Sequence, residues 1–266
     1  VAEDEAFGDQ FDVETLVRRI RSTDEAAIRQ SRILRHALAV DAKTFAAHVQ
    51  EILRRSVCGD VDAMLVLIAF VAFVASPDER GLLALEAVAI EARAENCPGT
   101  AWLLLDPPPA RVVERMPALR ADGRPMSLGE RRALAAGWDR RRLEWLLQDS
   151  DPMVIDRLCQ NPRIEEQHVL TILTRRPNTP EIIARVASSP RWNVRRSVRE
   201  AIVRNPYAGT GLSLRTLPLL PQQSVEQVHF SGELHPAVRM FARYLLELRE
   251  GRQSGPSPDD LGPALN

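Results

Sequence analysis

The sequence predicts an all-α protein in which a helical N-terminal region leads into a short α-solenoid of stacked helical repeats. Three observations predict it. A block repeats at an interval of 44 residues: Val154, Leu158, Asn161, Pro162, Leu170, Leu173 and Pro177 recur as Val198, Ile202, Asn205, Pro206, Leu214, Leu217 and Pro221. Val194, Arg195 and Arg199 recur again as Val238, Arg239 and Arg243. A fixed period in this range marks stacked supersecondary units rather than one closed globule. Prolines also punctuate the second half at 152, 162, 177, 190, 206, 221 and 236, leaving about three helical turns between them, and a proline does not continue a helix interior. Finally, no stretch shows the period-two alternation of a strand.

Residues 1–11 read as a flexible acidic N-terminus without the basic start and apolar stretch of a signal peptide. Residues 12–97 read as five helices, roughly 12–21, 24–39, 41–57, 61–75 and 77–95. Leu16 and Ile20, then Ile28, Leu34 and Leu38, fall at helical spacings. Ala63 to Ala75 is an uninterrupted apolar run of 13 residues. That is shorter than the about 20 needed to span a bilayer, so it reads as a central buried helix or one covered by a partner. Ser76-Pro77-Asp78-Glu79 places Ser at an N-cap and Pro in the first turn of the fifth helix.

Residues 98–126 form a Pro-rich connector with apolar patches at Trp102–Leu105 and Val112–Met116, expected to pack rather than hang free. The helical-repeat domain follows at 127–250. Ser127 with Glu130 gives a capping box, and Gly137 is placed to close that helix in the left-handed conformation. Asp139, Asp151-Pro152 and Thr179-Pro180-Glu181 are further helix starts. Asn161 and Asn205, each followed by proline, fit the left-handed position after a helix end. The segment 251–266, rich in Gly, Pro, Ser and Asp, reads as a disordered tail.

Charge is distributed unevenly. The chain carries 35 basic and 36 acidic residues, yet residues 131–215 carry 16 basic against 9 acidic. Lys43 is the single lysine. Arginine in excess is suited to carboxylate or phosphate recognition through its planar fork, although a GC-rich genome also enriches it. Cys58, Cys97 and Cys159 are odd in number and far apart, so they give neither a metal-ligand pair nor a disulfide framework. A reducing cytoplasm is the expected compartment.

The short Pro-punctuated helices such as 152–161, the helix-ending Asn-Pro at 161–162 and 205–206, and the Val-Arg pairs at 194–195 and 238–239 resemble the leucine-rich repeat variant and HEAT/armadillo-like helical repeat families, over residues 127–250. The resemblance implies a curved superhelix that binds other macromolecules. Some leucine-rich repeat variant proteins hold an iron–sulfur cluster on clustered N-terminal cysteines; this chain lacks such a cluster of cysteines, and no cofactor is expected.

No nucleophile–base arrangement is visible, and the chain is expected not to be an enzyme. His36, His48 and His168 read as core or surface histidines. His229, Glu233 and His235 straddle a Ser231-Gly232 turn in no firm metal-ligand spacing. Gly209-Thr210-Gly211 lacks the lysine and spacing of a phosphate-binding loop. Trp138 and Trp145 read as packing residues.

The strongest binding candidate is the cluster Arg191, Trp192, Arg195, Arg196, Arg199 and Arg204. On a helix from about 192 to 204, Arg195 and Arg199 are i,i+4 neighbours with Arg196 beside them, while Glu200 is placed to pair with Arg196. The expected function is a cytoplasmic adaptor that binds a protein partner, in particular an acidic segment, on this basic face. The alternative is nucleic-acid binding through phosphate contacts on the same face. Near-neutral overall charge and the absence of aromatic–basic interleaving weigh against it. Self-association through the 63–75 helix is a third expectation.

Overall fold

The computed structural model describes residues 11–113, 120–121, 124–252 and 255–265. It is all-helical apart from a two-residue antiparallel ladder that pairs Arg120 with Pro125 and Ala121 with Arg124. The helices are α1 (Val13–Arg21), α2 (Ala26–Ala39), α3 (Ala42–Val57), α4 (Val61–Ala75), α5 (Glu79–Ala94) and α6 (Pro98–Leu104). They continue with α7 (Leu128–Ala135), α8 (Arg140–Leu146), α9 (Pro152–Gln160), α10 (Glu166–Thr174), α11 (Pro180–Ala187) and α12 (Arg196–Val203). After α13 (Thr210–Thr216) and a 3-10 turn at Leu217–Leu219 come α14 (Gln222–His229), α15 (Pro236–Arg249) and a 3-10 segment at Pro258–Leu265.

The helix starts follow local chemistry. Asp12, Asp41, Asp60 and Asp78 each accept a backbone N–H from the first turn of α1, α3, α4 and α5, at 2.6–3.0 Å. This satisfies donors that no helix can satisfy internally. Asp78 rather than Ser76 caps α5, so that helix begins two residues later than the proline signalled. The capping box of Ser127 and Glu130 at α7 is formed on both sides. Helix ends depart further from expectation. Asn161 is extended, with φ −70°, and neither Asn205 nor Gly137 has positive φ. Among the described residues the one left-handed non-glycine is Asn96, after α5.

The chain packs into two compact units. The terminal unit takes residues up to Asp106 together with Leu214–Phe230 and those from Pro236 onward; the middle unit takes Pro107–Ser213 and Ser231–His235. The sequence division at 127–250 thus runs across this packing. In the terminal unit α4 packs on α1, α2 and α3, and Ala63, Val66, Leu67, Phe70 and Phe73 are buried. No single described helix is long and apolar enough to cross a membrane. The Pro-rich segment contributes α6, whose Trp102 is fully buried, stacks on Phe241 of α15 at 5.7 Å and donates through Nε1 to the Pro256 carbonyl at 2.8 Å. Pro256, in the segment expected to be a disordered tail, therefore lies against this core. Gln50 ties the same region together, accepting from Gly99 N–H and donating to the Tyr244 hydroxyl. The apolar stripe of α15 meets a large aromatic from the connector, and a 44-residue period carries no trace of that pairing.

A histidine pair sits between α2 and α3, with His36 buried. His36 Nε2 lies 3.0 Å from His48 Nδ1, and the His36 ring packs between Phe11 and Phe45. Burial, then the nearby His48 and Arg19, push His36 down to about 4, while Asp12 opposes them. The unfolded chain takes up this proton near the ordinary value of 6.5, so the neutral-histidine contribution is intact above about 6.5 and lost as pH falls toward 4. The linked loss is about 3 kcal/mol. Urea midpoints measured from pH 7 to pH 4 should fall accordingly. His36→Leu should flatten that slope, and an unchanged slope in the variant would remove His36 as its source.

In the middle unit α7 packs on α9 and α9 on α11, while α10 packs on α12; α8 packs on α7 and α9. One continuous core runs through it, from Ala135 and Leu146 through Val154, Ile172 and Ile183 to Val198 and Ile202. Four helix starts keep the 44-residue spacing. α9 and α10 begin at 152 and 166, and α12 and α13 begin at 196 and 210, each 44 residues on.

The repeated asparagines hold this stack. Asn161 Nδ2 donates to the carbonyls of Ala135 and Gly137, at 2.8 and 2.9 Å, and its Oδ1 accepts from Arg163 N–H. Asn205 repeats the pattern on Leu173 O and Tyr207 N–H. Each residue of the pair thus links the end of its own helix to the end of an earlier one.

Candidate functional site: the basic face of the middle unit

The middle unit carries 19 arginines against 13 acidic residues, so its field favours anionic groups. The arginine cluster read from the sequence divides into structural and exposed members. α12 begins at Arg196, with Arg195 as its N-cap residue, and 190–194 form turns instead of helix. Trp192 is 3% exposed and donates through Nε1 to the Cys159 carbonyl at 2.9 Å. It is a core residue, and the expectation of a surface anchor there is corrected. Arg191 stacks over the Trp192 ring at 4.3 Å and donates to the carbonyls of Asn161 and Ile164. It closes the end of α9 while remaining exposed.

Arg199 donates through Nε to the Asn193 carbonyl at 2.6 Å, and burial holds its guanidinium below the ordinary value. Arg195 and Arg199 therefore do not present one free basic surface. Arg196 is exposed and pairs with Glu200 at 2.9 Å, as the i,i+4 spacing predicts. Arg195 is exposed at the start of α12, and Arg204 is exposed at its end.

Two grooves open beside α10. One, of about 260 Å³, lies between α10 and α12, with Leu170, Leu173 and Ala201 on its apolar floor and Arg176 and Arg204 on its rim. The other, of about 210 Å³, lies between α8 and the start of α10, with Leu143, Pro162 and Ile164 on its floor and Arg140 and Arg163 on its rim. His168 lines the second groove, and its Nδ1 accepts from Glu165 N–H at 3.0 Å, capping α10. Sequence reasoning missed both grooves because their walls come from helices far apart along the chain.

Sequence reasoning also misassigned Trp138. It is 68% exposed, with the Arg163 guanidinium 4.9 Å above its ring. Trp145 is half-buried against the core, as expected of a packing residue.

The other chemistry-bearing residues are placed apart or committed to structure. Glu233 pairs with Arg176 at 2.5 Å, whereas His229 donates from Nδ1 to the Arg239 carbonyl in the terminal unit. Thr210 is buried at the start of α13 and donates to the Pro108 carbonyl at 2.7 Å. Burial pushes the Cys159 thiol up to about 12, which keeps it protonated. Among the described residues no group of three or more His, Cys, Asp or Glu is arranged to hold a metal ion.

Comparison with protein-family models, with curated proteins and with solved structures finds no match to this chain. Its class is therefore stated from its own geometry: an all-α, multi-helix protein whose middle unit is rich in arginine.

Proposed function

We propose that this chain is a non-enzymatic adaptor whose middle unit is a short helical-repeat stack, of the leucine-rich repeat variant or HEAT/armadillo-like kind, that binds a protein partner on its basic face. One observation carries the reading. Alternate helices pack on one another, α7 on α9 on α11 and α10 on α12, and the 44-residue period recurs in the helix starts. Units of that kind stack to bury a shared core and leave an extended surface, which suits recognition of another chain. The arginine excess selects an acidic partner segment. The fold by itself does not dictate the function, so the reading rests on this face. The cytoplasm remains the proposed compartment.

The test is affinity capture from native lysate with and without nuclease, wild type against Arg195→Glu/Arg196→Glu. Both substitutions are at exposed positions, so the variant should keep its melting temperature. A specific protein retained after nuclease and depleted on the variant is the expected result. Recovery of nucleic acid alone, with affinity falling steeply as salt rises, would replace this reading with phosphate-backbone binding.

A further inference from the structure

We infer that two copies of this chain pair through α5, antiparallel about a two-fold axis, along the seam Leu83, Ala87, Ile90 and Ala94. This goes beyond the adaptor reading and does not depend on it. α5 packs on α3 and α6, and its Gly81, Leu85, Val88 and Ala92 are buried. Its opposite face is apolar and open. Leu83 is 63% exposed and Ile90 69%, and Ala87 and Ala94 on the same line are exposed as well. Large apolar side chains left together in water mark an interaction surface. α4, the helix expected to self-associate, turns Val66, Leu67, Phe70 and Phe73 into its own core.

The pattern of α5 names a second copy as the occupant. Spacings of four, three and four residues keep the seam facing one partner helix. Large and small side chains alternate along it. Two-fold symmetry makes every contact reciprocal. In the antiparallel register Leu83 of one copy faces Ala94 of the other, and Ile90 faces Ala87, so each bulky side chain meets a small one. Charge agrees with this register. Glu86 and Arg93 flank the same side of the seam, are exposed, and make no ion pair among the described residues. Antiparallel pairing sets Glu86 of each copy beside Arg93 of the other. On the opposite flank Glu91 meets the uncharged Ala84.

A parallel pair loses each of these matches. Leu83 would face Leu83 and Ile90 face Ile90, with alanine against alanine between them, and Glu86 would lie beside Glu91 of the other copy. The face is therefore complementary to itself in one direction only. From Leu83 to Ala94 the seam is about 17 Å long. One helix pair of that length covers less than the about 800 Å² per partner of a stable interface, so the dimer is reversible and governed by concentration.

The experiment is sedimentation equilibrium of the full chain across the micromolar range. Wild type should show monomer and dimer in exchange. Ile90→Glu puts a charge into the seam at an exposed position, so it should stay monomeric while keeping its melting temperature. Arg93→Glu sets carboxylates against each other at both ends of the seam and should weaken pairing by about tenfold or more. Glu86→Arg/Arg93→Glu restores opposite charges and should return the affinity to within about threefold of wild type. Rescue by that exchange is the mark of a helix meeting its own copy, since a different partner would lose both contacts. A wild type that is monomeric throughout, an Ile90→Glu variant that dimerises like wild type, or a double exchange no tighter than Arg93→Glu would overturn the proposal. A monomeric wild type that binds phosphatidylcholine vesicles or a lysate protein, with Ile90→Glu losing that binding, would give the seam to lipid or to that protein instead.

Discussion

Asp149→Ala should destabilise the middle unit by about 3–5 kcal/mol, the cost of removing one partner from a buried ion pair. The Asp149 side chain is fully inaccessible and pairs with Arg131 of α7, itself only 15% exposed. The same carboxylate accepts the Asp151 N–H at 2.9 Å, just ahead of α9. Arg175, after α10, lies within its field: burial lowers that guanidinium and Asp149 opposes the shift. One carboxylate thus balances charge contributed from beside two other helices. Its removal strands the Arg131 guanidinium away from water and leaves the Asp151 N–H without its acceptor.

The loss belongs to the unpaired charge more than to the pair, and a second variant separates the two. Arg131→Met/Asp149→Leu removes both charges and should be less destabilised than Asp149→Ala, because the Arg131 guanidinium is no longer left uncompensated, while the loss of the Asp149 field at Arg175 is common to both variants. Urea unfolding of the four members of the cycle measures this. If Asp149→Ala stays within about 1 kcal/mol of wild type, the carboxylate does not hold α7 to the stack.

The sequence made some of these features visible and hid others, and the division follows the range of the interaction. Helices α1 to α5 begin and end within a few residues of their expected positions because caps such as Asp41 and Asp60 are local signals. The starts of α9, α10, α12 and α13 keep the 44-residue spacing read from the sequence, because that spacing is carried by local helix-start and helix-end residues. The membership of α15 in the terminal unit was not visible, since it depends on Trp102 meeting Phe241, 139 positions further along the sequence.

The two tryptophans show the same limit. Trp138 and Trp192 both sit in turns ahead of helices beside arginines, and no local pattern says that one faces solvent while the other donates to Cys159 O. The arginines divided for a related reason. Arg191 and Arg199 end on backbone carbonyls, and only the fold decides whether a long side chain finds a carbonyl or water.

Asn161 shows a position whose importance the sequence marked while misstating its mechanism. An asparagine before proline at a helix end implied left-handed backbone; the structure has extended backbone and a side chain that joins two helix ends. The two accounts predict different mutants. If backbone conformation were the reason, Gly would serve at 161, since glycine tolerates such a position best. With the side chain as the reason, Asn161→Gly and Asn161→Ala both leave the Ala135 and Gly137 carbonyls and the Arg163 N–H without a partner. Each buried unsatisfied group costs about 1–3 kcal/mol, so either substitution should lower stability by about 2–4 kcal/mol after partial rehydration of the more accessible groups. Asn161→Asp provides the sharpest comparison. It is nearly isosteric and keeps an oxygen for Arg163 N–H, yet it turns a carboxylate toward two carbonyl oxygens in place of an amide donor. It should therefore be at least as destabilising as alanine, and more so at neutral pH than at acid pH, where the carboxyl can protonate and donate one hydrogen bond. A thermal melt in which Asn161→Asp matches wild type, or Asn161→Gly exceeds it, would return the explanation to backbone conformation. The same series at Asn205 should repeat the order, because its side chain likewise donates to a carbonyl of another helix, Leu173 O, and accepts from Tyr207 N–H.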